Sequence, residues 1–503
     1  MNTKKTVFFT GASGSMGLAT LKEFLTRTDH FNVRILVRPS KKNKKLMRKY
    51  RATPGLEIIW GDMLDKALIF ECVRGTDYVL HMGAIISPEA DKYPELTMRT
   101  NLGSILNIID AIKAQPNADD ITLVYVGTIA NTGCRREPIH WGRCGDPIKG
   151  AIFDSYATSK IASERAVFES GLARWVSLRQ TGMLPVHTSA RHEPIIFHQN
   201  ANNAIEWATA EESAVLMANV CEDWIPESFW RKAYNIGGGK QWRFTHWEFM
   251  QKALQSINVD FHGAFDCRDL ALYNFHGQWF TDSDALDEIT HFRSLSPDSY
   301  FEDIFKLYTR LYAIPILRVF IPSAKQLYKQ NKKICKKHMG PDWMIENNKE
   351  DWIKAFYGSR EKQACIRAWD EGYELKRPSE DPSYLDHGYD ETKPTEKLKL
   401  EDMKQAADFR GGTCTSAKMT QGDLFTPLNW TCAFGHEFEA TPNLVLKGGH
   451  WCPECERKAW NYTEIAGVNP FFAQVWTPLH HDEEPINVPK DVCDLLVLEE
   501  REN

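Results

Sequence analysis

A tyrosine and a lysine four residues apart, in the segment SYATSK at 155–160, form the first pair whose side chains could act together. On a helix, positions i and i+4 lie on the same face, so Tyr156 and Lys160 would meet at one point. A nearby ammonium favours the phenolate and lowers a tyrosine pKa that is otherwise near ~10. The spacing therefore predicts a group that exchanges a proton with a carbonyl oxygen, although an exposed helical pair has the same spacing.

A second set of reactive side chains lies in NWTCAFGHEFEA (429–440) and GGHWCPECERK (448–458). Three thiolates and one imidazole suit a closed, tetrahedral Zn²⁺ site of the structural kind. A redox C-x-x-C motif is the competing interpretation, but it gives Cys432 and His436 no role. The predicted zinc ligands are Cys432, His436, Cys452 and Cys455, with Cys414 of GGTCTS as an alternative thiolate ligand.

The glycine-rich segment TGASGSMG (10–17) follows an apolar stretch and precedes an amphipathic one. Glycines in such a turn let the backbone approach a pyrophosphate, and the following helix N-terminus supplies N–H donors and a positive dipole end. A plain glycine turn is the alternative, but the strand–turn–helix context favours a dinucleotide site. The residues predicted to surround the phosphates are Gly11, Ser13, Gly14, Ser15, Met16 and Gly17.

The residues after the second apolar stretch bear on which dinucleotide binds. An NAD site usually has an acid there for the adenosine ribose, whereas this sequence reads VRPSKKNKK, with Val37 followed by Arg38. A guanidinium pairs well with a phosphate, so the sequence favours NADP(H) over NAD(H). A solvated basic loop is the alternative.

Short apolar stretches alternate with amphipathic ones through the first 180 residues. The helical patterns include 15–27 and 101–114. Strands alternating with helices predict an α/β fold, a Rossmann-type doubly wound parallel sheet covered on both faces. The predicted strands are 6–10, 33–37, 56–60, 77–81, 122–127 and 174–179.

Several motifs in a fixed order carry a resemblance to a known family. They are TGASGSMG, GD at 61–62, HMGA at 81–84, NLGS from 101, YVGTIANTG at 125–133, YATSK, LRQTG at 178–182 and YNIGGG at 234–239. Residues 1–320 therefore resemble an extended short-chain dehydrogenase/reductase of the NAD-dependent epimerase/dehydratase kind. The segment around the cysteines resembles a treble-clef or zinc-ribbon domain.

The resemblance implies roles for individual residues. Tyr156 would be the catalytic acid/base, with Thr128 donating a hydrogen bond to the substrate oxygen. Lys160 would hold the nicotinamide ribose and lower the pKa of the tyrosine, and Asn101 would anchor the backbone of the active site. Further cofactor contacts are implied for Asp62, Met63, Met82, Gly83, Ala84 and Thr181, besides Asn101, Tyr156 and Lys160.

The implied chemistry is hydride transfer between a nicotinamide and a carbon that bears oxygen. Dehydratases of this kind carry an Asp–Glu pair after the catalytic threonine, but Ile129 and Ala130 follow Thr128, so dehydration is not expected. Sugar epimerases typically show NxYGP where this chain has RQTGMLP. The first hypothesis is an NADP(H)-dependent oxidoreductase of a ketone or secondary alcohol. The alternatives are an NAD(P)-dependent nucleotide-sugar epimerase and an NADP(H)-sensing protein whose zinc domain binds nucleic acid or a protein partner.

Residues 185–310 are irregular and rich in aromatics, which is typical of a small subdomain on the substrate side. The aromatics favour an apolar or flat substrate, with ordinary core packing as the alternative. His276 is interpreted as a structural histidine. The aromatic segment comprises Tyr273, Phe275, His276, Trp279 and Phe280.

With 503 residues the chain is expected to form two or three domains. A net charge of -6 gives no overall attraction to nucleic acid or to an anionic membrane.

The start does not read as a signal peptide, and the apolar stretch 311–322 is too short to span a bilayer, so a cytoplasmic location is expected. The resemblance implies a homodimer through a helix pair that includes the Tyr–Lys helix. The predicted units are the catalytic domain 1–320, a basic helical connector 321–400, a zinc domain 401–490 and a tail 491–503.

Overall fold

A computed structural model describes residues 4–184, 194–313, 323–458 and 461–480, with the backbone alone at 307–313. The predicted tail, and most of the apolar stretch at 311–322, lie outside these residues. Within the described ranges no helix combines the length and apolar composition that a membrane span requires.

The strands, in chain order, are β1 Lys5–Thr10, β2 Phe31–Val37, β3 Leu56–Trp60, β4 Tyr78–His81, β5 Thr122–Thr128, β6 Trp141–Gly142, β7 Trp175–Gln180, β8 Met183–Leu184, β9 Ala204–Glu206, β10 Ala208–Thr209, β11 Lys232–Ile236, β12 Arg243–Thr245, β13 Trp279–Phe280, β14 Thr413–Cys414, β15 Leu428–Thr431 and β16 Glu437–Ala440.

The helices, in chain order, are α1 Ser15–Leu25, α2 Lys41–Met47, α3 Lys66–Val73, α4 Glu89–Lys92, α5 Pro94–Lys113, α6 Ser155–Phe168, α7 Ala210–Asn219, α8 His246–Gln255, α9 Phe261–Ala264, α10 Ser283–Thr290, α11 Pro297–Ala313, α12 Ala324–Cys335, α13 Pro341–Glu346, α14 Glu350–Tyr357, α15 Arg360–Ala364, α16 Leu400–Phe409, α17 Pro453–Glu456, α18 Tyr462–Val468 and α19 Pro470–Trp476.

Seven parallel strands form the main sheet, in the order β11-β7-β5-β4-β1-β2-β3. The predicted α/β class and all six predicted strands are confirmed, with ends that differ by at most two residues. Strand β11 was not among them, because it lies at the edge of the sheet and alternates exposed or half-buried with buried residues over its first half instead of presenting an apolar run.

Helices cover both faces of the sheet, as predicted, and each face has its own apolar core. On one face α1 packs against α7, and their apolar side chains join the core of β1 and β2. On the other face α3, α5 and α6 pack together, and this core continues without interruption into the C-terminal part of the chain. The direction of strand order reverses between β1 and β4, whose carboxyl ends lie side by side with Thr10 opposite His81. In such sheets ligands bind at this point.

The predicted connector packs against the substrate-side segment of the chain. The basic stretch at 325–338 forms helix α12, as predicted, and α12 contacts α9. Lys332 on this helix pairs with Asp266 at 3.2 Å and with Asp269 at 2.6 Å. These ion pairs and a small apolar cluster seat the helix on residues 197–270. The domain boundaries remain a prediction.

A small three-stranded antiparallel sheet, β14-β15-β16, characterises the residues that we call the C-terminal module, 410–458. A turn between β15 and β16 carries Cys432 and His436, and it is closed by Cys432 N–H donating to the His436 carbonyl at 3.0 Å. Helix α17 carries Cys455, with Cys452 as its N-cap. A hairpin and a short helix thus bring the two ligand pairs together.

Candidate active site and metal centre

A cleft of about 630 Å³ lies over the carboxyl ends of β1, β4 and β5. This volume is in the range of ligand pockets in proteins, roughly 300–1,000 Å³. The predicted site residues that line it are Gly11, Ser13, Gly14, Ser15, Met16, Gly17, Arg38, Asp62, Met63, Met82, Gly83, Ala84, Tyr156 and Lys160.

The glycine turn is packed so tightly that two of its positions have no room for a side chain. Gly11 has φ +79°, and a Cβ there would lie 2.9 Å from the backbone nitrogen of Gly83. A Cβ on Gly17 would lie 2.2 Å from the carbonyl oxygen of Gly11. Gly14 N–H donates to the same carbonyl at 2.9 Å. These contacts draw α1 against β4 and aim its N-terminus into the cleft.

The N-terminus of α1 fits an anionic ligand. Its N-cap is Gly14, and no side chain of the described residues caps the helix. The first N–H groups of a helix have no partner within it, and they carry the positive end of the helix dipole. Ser15 is exposed and Ser13 is half-buried beside them. The residues present therefore suit the pyrophosphate of a dinucleotide.

The far end of the cleft, beyond β2, is basic. Arg38 is exposed there and is joined by Ser40 and Lys42 at the start of α2. Asp62 also lines this end, and its carboxylate accepts from Leu64 N–H at 3.0 Å. Lys42 was not predicted as a site residue, although the sequence VRPSKKNKK has the pair Lys41 and Lys42 shortly after Arg38. A phosphate on the adenosine ribose would meet two cations here.

Tyr156 lines the other end of the cleft, and Thr128, which is not among the lining residues, lies beside it. Tyr156 is half-buried in the first turn of α6, and Thr128, the last residue of β5, is buried. The Thr128 hydroxyl is close enough to the Tyr156 phenol to influence its pKa. Asp154 caps α6 by accepting from Ala157 N–H at 2.8 Å. The predicted Thr–Tyr pair is therefore assembled by the end of a strand and the start of a helix.

The pKa of Tyr156 differs from the sequence-based expectation. Burial raises it to about 12, the Thr128 hydroxyl acts in the opposite direction, and the charge of Asp154 raises it further. Burial in turn lowers the pKa of Lys160 to about 7, although the charge of Glu164 opposes the shift. The lowering of the tyrosine pKa by Lys160 is thus not seen, because burial dominates both groups.

Lys160 lies one turn after Tyr156 and is held by the sheet. Its Nζ donates to the Val126 carbonyl at 2.8 Å and lies 4.1 Å from the ring centroid of Tyr125. The same ring stacks on His81 at 6.2 Å. Burial, with a smaller contribution from the charge of Lys160, lowers the pKa of His81 to about 3. Lys160 therefore faces the cleft. Behind the ring of Tyr125 lies the imidazole of His81, which is neutral and adds no second positive charge.

Asn101 and His81 hold the backbone around the cleft. Asn101 accepts from Ile85 N–H at 2.8 Å and donates to the Ile85 carbonyl at 3.0 Å and to Ser159 Oγ at 2.9 Å. His81 bridges Thr10 Oγ1 at 2.9 Å and a serine of α5 at 3.1 Å. Asn101 does not line the cleft, and it joins the loop after β4 to helix α6, which is an anchoring position.

Thr181 and the aromatic segment, which were predicted to face the cofactor or the substrate, lie away from the cleft. Thr181 is buried, and its hydroxyl donates to the Glu206 carbonyl at 2.6 Å, so Gln180 and Met183 line the cleft instead. Of the aromatic segment, Trp279 and Phe280 are fully buried in β13, as core residues. The cavity beside Phe275 and His276 measures about 30 Å³, close to the volume of one water molecule.

The C-terminal module brings four potential metal ligands together. The Nδ1 atom of His436 lies 3.3 Å from the sulfur of Cys432 and 3.5 Å from those of Cys452 and Cys455. The sulfurs of Cys432 and Cys455 are 3.8 Å apart. Tetrahedral zinc with bonds of about 2.3 Å to sulfur and about 2.0 Å to nitrogen has edges of about 3.8 Å and about 3.5 Å. The four side chains therefore fit such an ion.

Cys414 is not part of this group. It lies in β14 opposite Trp430 of β15, where it is packed into the core of the module. Burial raises the pKa of its thiol, which disfavours the thiolate that a zinc ligand requires. Of the two ligand sets considered from the sequence, the structure assembles the one with His436.

Comparisons with known proteins give a family match in the N-terminal part of the chain. The model of the NAD dependent epimerase/dehydratase family matches residues 7–212. The UDP-glucose 4-epimerase of Rickettsia akari (strain Hartford) is 36% identical over 112 residues, which are 21% of this chain and 32% of that protein. That of Rickettsia bellii (strain RML369-C) is 32% identical over 123 residues, which are 24% of this chain and 36% of that protein. The chain thus spans about a third of the length of these curated relatives.

Two solved structures align with a larger part of the chain at low identity. The dTDP-glucose 4,6-dehydratase of Bacillus anthracis in complex with NAD covers 61% of this chain and 97% of its own, with a TM-score of 0.49 and 13% identity. The UDP-glucose 4-epimerase of Bifidobacterium longum in complex with NAD+ and UDP covers 61% and 98%, with a TM-score of 0.46 and 16% identity.

The matched span holds most of the features described above. Residues 7–212 include six of the seven strands of the main sheet, the glycine turn, and the Thr128, Tyr156 and Lys160 side chains. These features lie in the part of the chain that the model of the NAD dependent epimerase/dehydratase family matches.

Proposed function

We propose that the chain is an NADP(H)-dependent oxidoreductase that interconverts a ketone and a secondary alcohol. The observation that carries the proposal is one cleft that is lined by Tyr156 and Lys160, with Thr128 beside the tyrosine, and by the uncapped N-terminus of α1. A dinucleotide bound along the cleft would supply or accept the hydride at its nicotinamide.

The side chains of the chain would handle the proton and the substrate oxygen. Tyr156 donates a proton to the carbonyl oxygen during reduction and takes one from the alcohol during oxidation. Thr128 donates a hydrogen bond to the same oxygen and keeps the phenol in place. Lys160 holds the hydroxyls of the nicotinamide ribose from its position one turn along α6.

The preference for NADP(H) rests on the basic end of the cleft. Arg38 and Lys42 line it, and Val37, which ends β2, stands where an NAD site usually has an acid. Cations at this position pair with the 2′-phosphate that distinguishes NADP from NAD.

A nucleotide-sugar epimerase is the second candidate, because the curated relatives named above are UDP-glucose 4-epimerases. Epimerisation would use the same proton transfer by Tyr156, but the cofactor would be regenerated within each turnover. The two candidates therefore differ in whether reduced cofactor is consumed.

A substrate panel separates these candidates. We expect the full chain to consume NADPH with ketones, or to reduce NADP+ with secondary alcohols, faster than with NADH or NAD+. Sugar interconversion without net change in cofactor absorbance would favour the epimerase. No turnover in either assay by a protein that binds no dinucleotide would overturn both.

We also propose that Cys432, His436, Cys452 and Cys455 hold a structural zinc ion, which would cross-link the hairpin and α17. Metal analysis of the purified chain should give one zinc per chain, and Cys452→Ser with Cys455→Ser should lose it. Cys414→Ser is the matched control and should keep zinc. Equal metal content in the double variant and in wild type would contradict the assignment.

A further inference from the structure

Helix α6, which carries Tyr156 and Lys160, is covered on every side. All fourteen of its residues are described, and each is buried or half-buried. One face packs on β5 and β7 and another on α5, whereas its C-terminal half contacts the C-terminal module. The helix at the proposed active site is therefore completed by residues that follow it by more than 270 positions.

Glu164 is the centre of the contact between helix and module. It lies four residues after Lys160, on the same face of α6. Its carboxylate is fully buried and accepts from Ser177 at 2.6 Å, from Arg179 at 2.9 Å and from Asn131 at 2.9 Å. Nε2 of His450 completes the set at 3.3 Å from Glu164.

Two further contacts join the module to this part of the fold, one from strand β7 and one from the end of helix α6. Arg179, on β7, also donates to the Gly448 carbonyl at 2.7 Å. Glu169, the C-cap of α6, accepts from the backbone N–H of Thr441 at 3.2 Å and from its hydroxyl at 2.8 Å. The module is thus joined to helix α6 through Glu164 and Glu169, and to strand β7 through Arg179.

His450 also contacts a residue that neighbours one of the metal ligands. Nδ1 of His450 lies 3.2 Å from a carboxylate oxygen of Glu456, which directly follows Cys455. Glu456 also pairs with Arg165 of α6 at 3.3 Å. Helix α17, which carries Cys455 and Glu456, is therefore linked to α6 in two ways, through His450 and through Arg165.

We propose that His450 and Glu164 form a positioning pair, through which the metal-bound C-terminal module holds helix α6 and thereby seats Lys160 for cofactor binding. The last part of this inference rests on the proposed function, because it uses the role of Lys160 there. A buried carboxylate that loses one of its hydrogen-bond donors is strongly destabilised, because its removal from water is no longer compensated. Helix α6 would therefore shift or become more mobile if the module moved away from it.

The first test is the variant His450→Ala, with His450→Gln as the conservative variant that keeps a donor. Glu454→Gln is the matched control, because Glu454 lies between two metal ligands, is exposed and pairs with Arg457 instead of α6. We expect His450→Ala to keep its zinc, to raise the Kd for NADPH about tenfold and to speed amide exchange in residues 155–168. His450→Gln should bring the Kd for NADPH and the amide exchange most of the way back to their wild-type values. Glu454→Gln should change neither quantity.

Zinc removal from the full chain by a chelator is the second test, and it needs no variant to fold. Exchange in residues 155–168 should increase, whereas exchange in α1, on the opposite face of the sheet, should stay as it was. Unchanged exchange in α6 after zinc loss, or wild-type exchange and NADPH affinity in His450→Ala, would overturn the positioning role. If wild type binds no dinucleotide, the proposed function fails, and the exchange of α6 still decides whether the module positions this helix.

Discussion

At the scale of single residues, Tyr156 is prepared as an acid, not as a ready base. Burial raises its pKa to about 12, so the phenol keeps its proton throughout the neutral range. A protonated phenol beside Thr128 suits donation to a carbonyl oxygen, whereas oxidation of an alcohol first requires the phenolate. The sequence identified the residue, but it could not supply this value, because the pKa depends on how deeply α6 is buried.

The direction of the pKa shift makes a prediction about pH dependence. Because the phenolate fraction grows with pH up to about 12, alcohol oxidation by wild type should rise by about tenfold per pH unit between about pH 7 and pH 10. Ketone reduction should not rise over the same range, since the phenol remains protonated. Initial rates at saturating cofactor check this, and a plateau in oxidation below pH 8 would contradict it.

The cations at the adenosine end make a second prediction. Arg38→Ala combined with Lys42→Ala should weaken NADPH binding by about 1.5–3 kcal/mol, because it removes charge-assisted contacts to a phosphate. NADH binding should hardly change. Titration calorimetry with both cofactors measures this.

The matched control for this prediction is Lys44→Ala combined with Lys45→Ala, which removes two cations of α2 that do not line the cleft. Equal loss of NADH and NADPH affinity in the Arg38/Lys42 variant would argue against a phosphate site at this end.

At the scale of elements, the sequence predicted what short-range patterns determine. The apolar run at 33–37 is strand β2, which lies between β1 and β3 and is mostly buried, as parallel strands inside a sheet are. The apolar run at 56–60 is edge strand β3, which is mostly half-buried. The glycine turn was likewise predicted from its order after β1 and before α1. Edge strand β11 was missed, since its alternation of polar and apolar residues is a weaker signal.

The turn between β1 and α1 also makes a prediction. Gly17→Ala would force a Cβ to within 2.2 Å of the Gly11 carbonyl, so the turn must open. We expect a loss of roughly 1–3 kcal/mol in the free energy of unfolding, together with weaker dinucleotide binding.

Gly14→Ala is the control for the turn, because its Cβ would have only one neighbour, the Gly11 carbonyl at 3.3 Å. It should unfold at nearly the wild-type denaturant concentration. If Gly17→Ala were as stable as Gly14→Ala, the close packing of this turn would not be what holds α1.

At the scale of the whole molecule, the metal-binding module and the cleft share one core. The predicted units at 1–320 and 401–490 pack through continuous apolar contacts, with the Glu164 cluster at their centre. The ligand spacing could be read from the sequence, but the contact of Glu164 with His450 spans 286 positions and leaves no local signal. This is why the sequence suggested separate domains.

The module also bears on the homodimer that the resemblance implies. Such a dimer would use α6, whose outer side is covered here by the C-terminal module of the same chain. We therefore expect light scattering to give the mass of one chain, 57.7 kDa, at micromolar concentration. Twice that mass, with α6 protected from exchange only in the dimer, would show that the helix still pairs between chains.

The central claim is that Tyr156 moves the proton at the end of a dinucleotide cleft. The most direct measurement compares Tyr156→Phe with wild type for NADPH binding and for turnover of the best ketone found. Tyr384→Phe, which changes an exposed tyrosine outside the cleft, serves as the control. We predict that Tyr156→Phe binds NADPH as tightly as wild type and loses turnover by at least about 100-fold, the usual contribution of a general acid. Wild-type turnover in Tyr156→Phe would contradict the account.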